Sequence, residues 1–267
     1  MNKPIVTAFA FGALIMPAMA ADLPRYRAPR PIPVIMNWTG FYIGANAGWI
    51  GSTENTITNT GTDTRAGGLG ALLGAGAIPG SIGIGHSGFI GGGQIGYNWQ
   101  WTPRWVAGLE ADFDGLANPS STVIAAFPGS AIFVPLQTAY TRTLDDLGTV
   151  RARLGYLSSP SMLWYATGGF AYGQTTLQTS FACANCAPPA NTSILTSNVN
   201  TGWTVGAGVE WKFAPAWSVK AEYLYVDLGS ISNTIGYIYG PTSISSLTSS
   251  FNERDNIVRA GINYKFW

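Results

Sequence analysis

From Phe41 to Phe266, apolar residues recur at every second position in one segment after another, with glycine or polar residues between them. A period of two marks strands whose two faces meet different surroundings. In 41–49 the odd positions are apolar or small and the even ones are Tyr, Gly or Asn. Trp105, Ala107, Leu109, Ala111 and Phe113 alternate with a set that includes Glu110 and Asp112. Val150, Ala152, Leu154 and Tyr156 stand against Thr149, Arg151 and Arg153; Trp203, Val205, Ala207, Val209, Trp211 and Phe213 stand against Thr204, Glu210 and Lys212. Trp217 to Tyr225 opposes Ser218, Lys220 and Glu222, and Val258 to Phe266 opposes Arg259, Asn263 and Lys265. Two weaker segments, about 89–101 and 163–173, bring the count to roughly eight strands.

The connections alternate as well. Three are short and each holds a proline, Pro103, Pro160 or Pro215. Four are long and rich in Gly, Ser, Thr and Asn, at about 50–87, 114–143, 174–200 and 230–253. Short and long connections in strict turn give antiparallel neighbours with all tight turns at one end. The pattern predicts an all-β fold: a closed antiparallel up-and-down transmembrane β-barrel of about eight strands, with short periplasmic turns and long outer loops. An even strand count puts both ends of the barrel on the periplasmic side.

The N-terminal segment reads differently. Lys3, an apolar run from Ile5 to Met16 and Ala18-Met19-Ala20 have the three parts of a secretory signal, so residues 1–20 are expected to be cleaved. Residues 21–37 hold Pro24, Pro29, Pro31 and Pro33 with Arg25, Arg27 and Arg30, a composition that resists helix and sheet and predicts a periplasmic arm. Residues 38–267 are left for the barrel.

A soluble barrel shows the same alternation with its apolar side inward, so the faces must be assigned. Charged residues are only 10% of the chain, against about 25% in ordinary globular proteins, too few to cover a water-facing exterior. Without Lys3, 13 basic residues balance 13 acidic ones, which gives no footprint for nucleic acid. Aromatics sit at strand ends: Trp49, Trp99, Trp105, Trp203, Trp211, Trp217, Tyr264 and Phe266 fit two interfacial girdles. With the apolar face toward lipid, the charged face lines a narrow lumen. There Glu110 and Asp112 lie one pairing from Arg151 and Arg153, and Lys220 and Glu222 one pairing from Arg259 and Lys265; Glu210 joins the same interior set. Inward glycines at 44, 48, 96, 206, 208 and 261 leave room for water beside these charges.

Several of these segments resemble one known family. Residues 38–48 (WTGFYIGANAG), 88–99 (GFIGGGQIGYNW), 109–113 (LEADF), 165–173 (YATGGFAYG), 202–210 (GWTVGAGVE) and 259–267 (RAGINYKFW) are similar, in order, to the strands of the alphaproteobacterial outer-membrane immunogenic proteins. These belong to the opacity-type porin superfamily of OmpA/OmpX-like eight-stranded barrels. The resemblance covers nearly all of 38–267 outside the long connections. It implies surface exposure and an envelope role. It also implies recognition of the aromatic C-terminal strand by the barrel-assembly machinery, although Trp267 falls one residue out of phase with Phe266.

Catalytic motifs are weak. His86 and Ser87 are adjacent on a strand and so point to opposite faces, and Asp145 and Asp146 lie near an outer rim; a solvated rim histidine is expected. Residues 83–88 match G-x-G-x-x-G but lead into a strand, so no helix N-terminus is available for phosphate. Cys183 and Cys186 form a C-x-x-C without further thiols for zinc, and a structural disulfide pinning a loop is the favoured reading in an oxidising envelope.

The expectation is therefore a non-enzymatic outer-membrane barrel without cofactor or metal, serving envelope integrity and surface interaction, with a narrow channel for small solutes as the alternative. Its expected contacts are outer-membrane lipid, lipopolysaccharide and the assembly machinery, with peptidoglycan or a host surface as further candidates.

Overall fold

A computed structural model of the chain describes residues 36–53, 56–64, 68–117, 120–129, 135–185, 190–238 and 244–266. The expected signal at 1–20 and residues 21–35 of the expected arm lie outside them. Among the described residues the fold is all-β apart from one short helix. In chain order the elements are β1 (Gly40–Ser52), β2 (Thr56–Asp63), α1 (Leu69–Gly74), β3 (Ser81–Gly83), β4 (Ser87–Gln100), β5 (Trp105–Ala117), β6 (Ser120–Phe127), β7 (Leu136–Leu144), β8 (Asp146–Ser159), β9 (Met162–Cys183), β10 (Ala190–Lys212), β11 (Trp217–Ile238) and β12 (Ile244–Lys265).

The described pairings are antiparallel. They run β1-β4-β5-β8-β9-β10-β11-β12, and β12 pairs again with β1, Ala47 standing opposite Ala260. The tight connections β4–β5, β8–β9 and β10–β11 hold Pro103, Pro160 and Pro215.

Among the described residues twelve strands stand where the sequence pattern gives about eight. The difference lies in the four stretches expected as long loops. Residues 50–87 contain β2, α1 and β3, and 114–143 contain β6 and β7. Residues 174–200 and 230–253 carry β9 to β12 onward to lengths of 22 or 23 residues. Ser and Thr dominate these extensions and occur on both faces, so no apolar alternation announces them, although Thr suits a strand well.

The strands keep their direction but change their surroundings part way along. On β9 the outward side chains are Trp164, Ala166 and Phe170, then Gln174, Thr176 and Gln178. On β12 they are Tyr264, Ile262 and Val258, then Asn256, Arg254 and Asn252. The inward residues change the opposite way, from Asn263 and Arg259 to Phe251 and Leu247. One half of the molecule is thus apolar outside and largely polar inside, while the other is polar outside and mixes apolar with polar side chains inside. On β11 the change coincides with a β-bulge between Asp227 and Ser230, where Gly229 has φ of +81°, a left-handed conformation in which glycine alone pays no steric penalty. Before it the inward residues are even-numbered (Glu222, Leu224, Val226); after it they are odd-numbered (Ile231, Asn233, Ile235).

Among the described residues, β10 and β11 pair only as far as Trp203 with Asp227. Beyond that point β9 takes β7 as a neighbour and β12 takes β2, so the extensions form two sheets, β6-β7-β9-β10 and β3-β2-β12-β11. Helix α1 caps the second sheet. The Asp63 carboxylate accepts hydrogen bonds from the Gly70 and Ala71 amides at 3.0 and 2.7 Å, satisfying two donors of the helix's first turn.

Candidate functional site

The feature richest in chemistry is the lumen enclosed by β1, β4, β5 and β8 to β12. A single network at inward positions on these strands joins five carboxylates (Glu110, Asp112, Asp114, Glu210, Glu222) and four cations (Arg151, Arg153, Lys220, Arg259), all at most 6% exposed. Charges shielded this far from water are tolerated only when paired and hydrogen-bonded, and the lumen is built accordingly.

Arg151 sits at the centre. Its Nη2 donates to Glu110 Oε1 at 2.6 Å and Asp112 Oδ2 at 2.7 Å, and its Nη1 donates to Glu222 Oε1 at 3.0 Å. Thr149 holds the same assembly by donating to Asp112 and accepting from Arg151 Nε, both at 2.9 Å. Arg259 reaches Glu222, Asp112 and Asp114 at 2.9, 2.8 and 2.6 Å, using all three guanidinium nitrogens. Arg153 donates to Glu210 at 2.6 Å while its guanidinium lies over the Tyr165 ring at 4.3 Å. Lys220 donates to Glu110 across the lumen at 2.8 Å. Their strands, β5 and β11, stand four pairings apart in either direction round the cycle, so this bond spans opposite walls.

All eight interior residues picked out from sequence therefore meet in one network. Two others behave otherwise. Lys265 donates to the Thr39 carbonyl at 3.0 Å and Lys212 to the Asn37 carbonyl at 2.7 Å, both at the tight-turn end. The sequence pattern does not single out Asp114, which falls within the stretch 114–143 read as a loop, nor Tyr42 and Tyr165, whose hydroxyls donate to Glu110 at 2.7 Å and Glu222 at 3.1 Å. Inward parity on β1, β5 and β9 was the signal that would have found them.

The inward glycines do not leave space for water as expected. They leave space for other side chains. A Cβ on Gly96 would strike the Tyr42 ring, one on Gly208 would meet the Tyr165 hydroxyl at 2.5 Å, and one on Gly48 would meet the Arg259 stem at 2.6 Å.

The lumen is also occupied above and below the network. At the tight-turn end Trp38, 1% exposed, packs with Val106, Leu157, Leu163 and Tyr165; its indole N–H donates to the Pro160 carbonyl at 3.1 Å and Lys212 Nζ lies over its ring at 4.5 Å. On the other side Ile50, Ile90, Leu144, Leu147, Leu224 and Ile257 form an apolar layer.

Past that layer lies His86. It is not the solvated rim residue expected but is 8% exposed, facing Asp255 with Nε2 to Oδ1 at 3.7 Å, because parity at the start of β4 turns it inward. Burial, reinforced by the nearby Arg142 guanidinium, lowers the imidazole to about 4, leaving it neutral at pH 7. Asp146 is engaged elsewhere, accepting from the Gln174 amide at 3.1 Å. Ser87 is exposed on the opposite face, as adjacent strand positions require.

The aromatic residues named from sequence all lie outside. Trp49, Trp99, Trp105, Trp203, Trp211, Trp217, Tyr264 and Phe266 are between 37 and 58% exposed. They pack in two tiers. Trp49 with Phe89 and Trp203 with Tyr225 stand where the outer face turns polar; Trp99 with Trp101, Trp105 with Tyr156, Trp217 with Tyr264, and Trp211 with Phe213 stand at the tight turns. Cys183 is buried and disulfide-bonded; Cys186 lies outside the described residues.

The chain is similar to several known proteins. The family described as outer membrane protein beta-barrel domain matches residues 6–266. The chain is 32% identical to the 31 kDa outer-membrane immunogenic protein of Brucella melitensis, over 99% of this chain and 100% of that one. It is 26% identical to a 22 kDa outer membrane protein of Rhizobium leguminosarum, over 88% and 82% of the two chains. Among solved structures, OprG of Pseudomonas aeruginosa covers 87% of this chain and 100% of its own, with 10% identity and a TM-score of 0.45.

Proposed function

The chain belongs to the outer membrane protein beta-barrel domain family and is a protein of the cell outer membrane, and from that premise we propose that it serves as a plugged structural barrel displaying a rigid surface extension. The eight strands whose pairings return to their start form the membrane wall. About 9–11 tilted residues suffice to cross the hydrocarbon core, so the outward run from Val258 to Phe266 spans it, and the rest of each long strand projects beyond. The two aromatic tiers mark its interfaces, and the tight turns face the periplasm.

One observation carries the reading: four cations and five carboxylates form one network that reaches across the lumen to the opposite wall, with Trp38 beneath them and an apolar layer above. Such a wall is braced, and it leaves no continuous path for solutes. The carboxylates of the network are held by cationic donors, so the arrangement offers no free nucleophile or general base, and the role is mechanical and adhesive. Lipid and lipopolysaccharide meet the outer belt, the assembly machinery meets the C-terminal strand, and the extension is the part presented to antibodies, host surfaces or neighbouring cells.

Purified protein in a planar bilayer tests this. We expect no steady conductance, together with cleavage of the extension by protease added to intact cells. A stable solute-passing conductance would favour the narrow-channel alternative, and an extension shielded on intact cells would overturn its display.

A further inference from the structure

Above the apolar layer, the lumen holds a second polar group that the bracing network does not use. His86, Glu253 and Asp255 offer one imidazole nitrogen and two carboxylate oxygens within 4.8 Å of one another. All three are buried, their side chains between 0 and 2% exposed. Arg142, entering from β7, pairs with Glu253 through Nε at 3.0 Å and also through Nη2, and its Nη2 lies 3.7 Å from Asp255 Oδ1.

The group is incomplete as it stands. Neither ring nitrogen of His86 has a hydrogen-bond partner, and neither does Asp255 Oδ1. Buried donors and acceptors of this kind ordinarily find partners, and each one left without is destabilising. Here two orphaned atoms, His86 Nε2 and Asp255 Oδ1, face each other at 3.7 Å, and the two carboxylates with one guanidinium leave one net negative charge in an enclosed space. A cation placed between them satisfies both deficits.

We infer that His86, Asp255 and Glu253 form a binding site for a divalent transition-metal ion of the zinc class, seated in the extracellular half of the lumen.

The donor set selects the ion. One imidazole and two carboxylates suit zinc and its neighbours, whereas calcium takes six to eight oxygens and magnesium retains most of its water. Glu253 remains a competent ligand while bonded to Arg142, since each carboxylate oxygen has more than one lone pair. Arg142 then holds that carboxylate in orientation, as outer partners of metal ligands do. Its positive charge also opposes the ion and so limits affinity. The ligands come from the residue just before β4 and from β12, so the ion would tie the second extension sheet to the barrel mouth.

The test uses the full chain without an affinity tag, purified from outer membranes in detergent, stripped with chelator and dialysed against zinc chloride. Because His86 is the only histidine in the chain, any imidazole signal in zinc X-ray absorption identifies it. One zinc per chain is expected, with one imidazole and otherwise oxygen ligands. His86→Ala and Asp255→Asn should each weaken binding at least tenfold, the low end of what even outer partners of a metal contribute. Failure of the wild type to bind zinc saturably, zinc bound without imidazole, or unchanged affinity in His86→Ala would each overturn the site. If either variant fails to fold, judged by loss of heat-modifiable gel mobility, the wild-type absorption spectrum decides alone. Conductance is unaffected by these outcomes, so the plugged-barrel reading stands or falls separately.

Discussion

Arg151 and Glu110 face each other directly across the β5–β8 pairing and close a 2.6 Å ion pair, while the same guanidinium binds Asp112 and Glu222. A neighbouring-strand pair thereby becomes the hub of a bracket reaching to the far wall. Removing the cations strands several buried carboxylates, and an unpaired buried charge costs more than the intact pair contributes. Arg151→Ala combined with Arg153→Ala should lower unfolding stability in detergent or lipid by about 3–5 kcal/mol. Urea titration followed by gel mobility measures it, and a bilayer recording of the same variant should show conductance that the parent lacks. A variant as stable as the parent would separate the network from the bracing role.

The adjacent residue gives the opposite test. Val150, between Thr149 and Arg151, faces outward and is 53% exposed amid Ala111 and Phe170 on neighbouring strands. Val150→Arg places a guanidinium in the apolar belt, with an expected loss of about 2–4 kcal/mol if the site is near the midplane and less toward either interface. The same substitution at Thr176, outward on the extension of β9, should be close to neutral. Equal effects at the two positions would show that the belt does not face lipid.

How much was legible follows the same boundary. In the half with the apolar outer belt the two faces differ in kind, charged against aromatic, so β5, β8 and the lower β11 declare their orientation in sequence. In the extension, inward Thr175, Thr179, Ser245 and Ser249 are buried while outward Thr176, Ser180, Ser246 and Ser250 are not, and identical residue types on both faces erase the period. The bulge at Asp227 to Ser230 then shifts parity in β11, so even Ile231 and Ile235 fall out of step with Leu224. His86 was misread for a related reason: its inward direction is fixed by the strand after it, while its buried partners lie more than 160 positions away on β12, beyond the reach of any local pattern.

Cys183 sits at the far end of β9, opposite Ala190 of β10, with its side chain in an apolar cluster that includes Leu136, Phe181 and Leu247. We expect its disulfide partner to be Cys186, the only other cysteine of the chain. A ring closed over so few residues constrains little of the unfolded chain, so its entropic contribution is small and local. Cys183→Ser should leave barrel assembly and gel mobility unchanged and should raise protease sensitivity only near the β9–β10 turn. Maleimide labelling of intact, unreduced cells should find no free thiol; a labelled parent protein would refute the pairing.

Trp38 precedes β1 and belongs to no strand, yet it is among the largest fully buried side chains of the described residues. It fills the mouth at the tight-turn end, held by the Pro160 carbonyl, the Gln100 side chain on its backbone amide at 3.1 Å, and Lys212 over its ring. Because three separate tight-turn regions supply these contacts, the residue joins ends of the wall that sequence separates widely. Trp38→Ala removes a large buried ring and leaves a cavity that the paired strands cannot collapse, so a loss of about 3–5 kcal/mol is expected. Trp38→Phe keeps most of the volume but not the N–H donor, and its cost should be nearer the value of one hydrogen bond, about 1 kcal/mol. Neither change touches Arg151 or Arg259, so the lumen should remain closed to ions in both variants. Conductance in Trp38→Ala alone would mean that the indole, and not the charge network above it, is the seal.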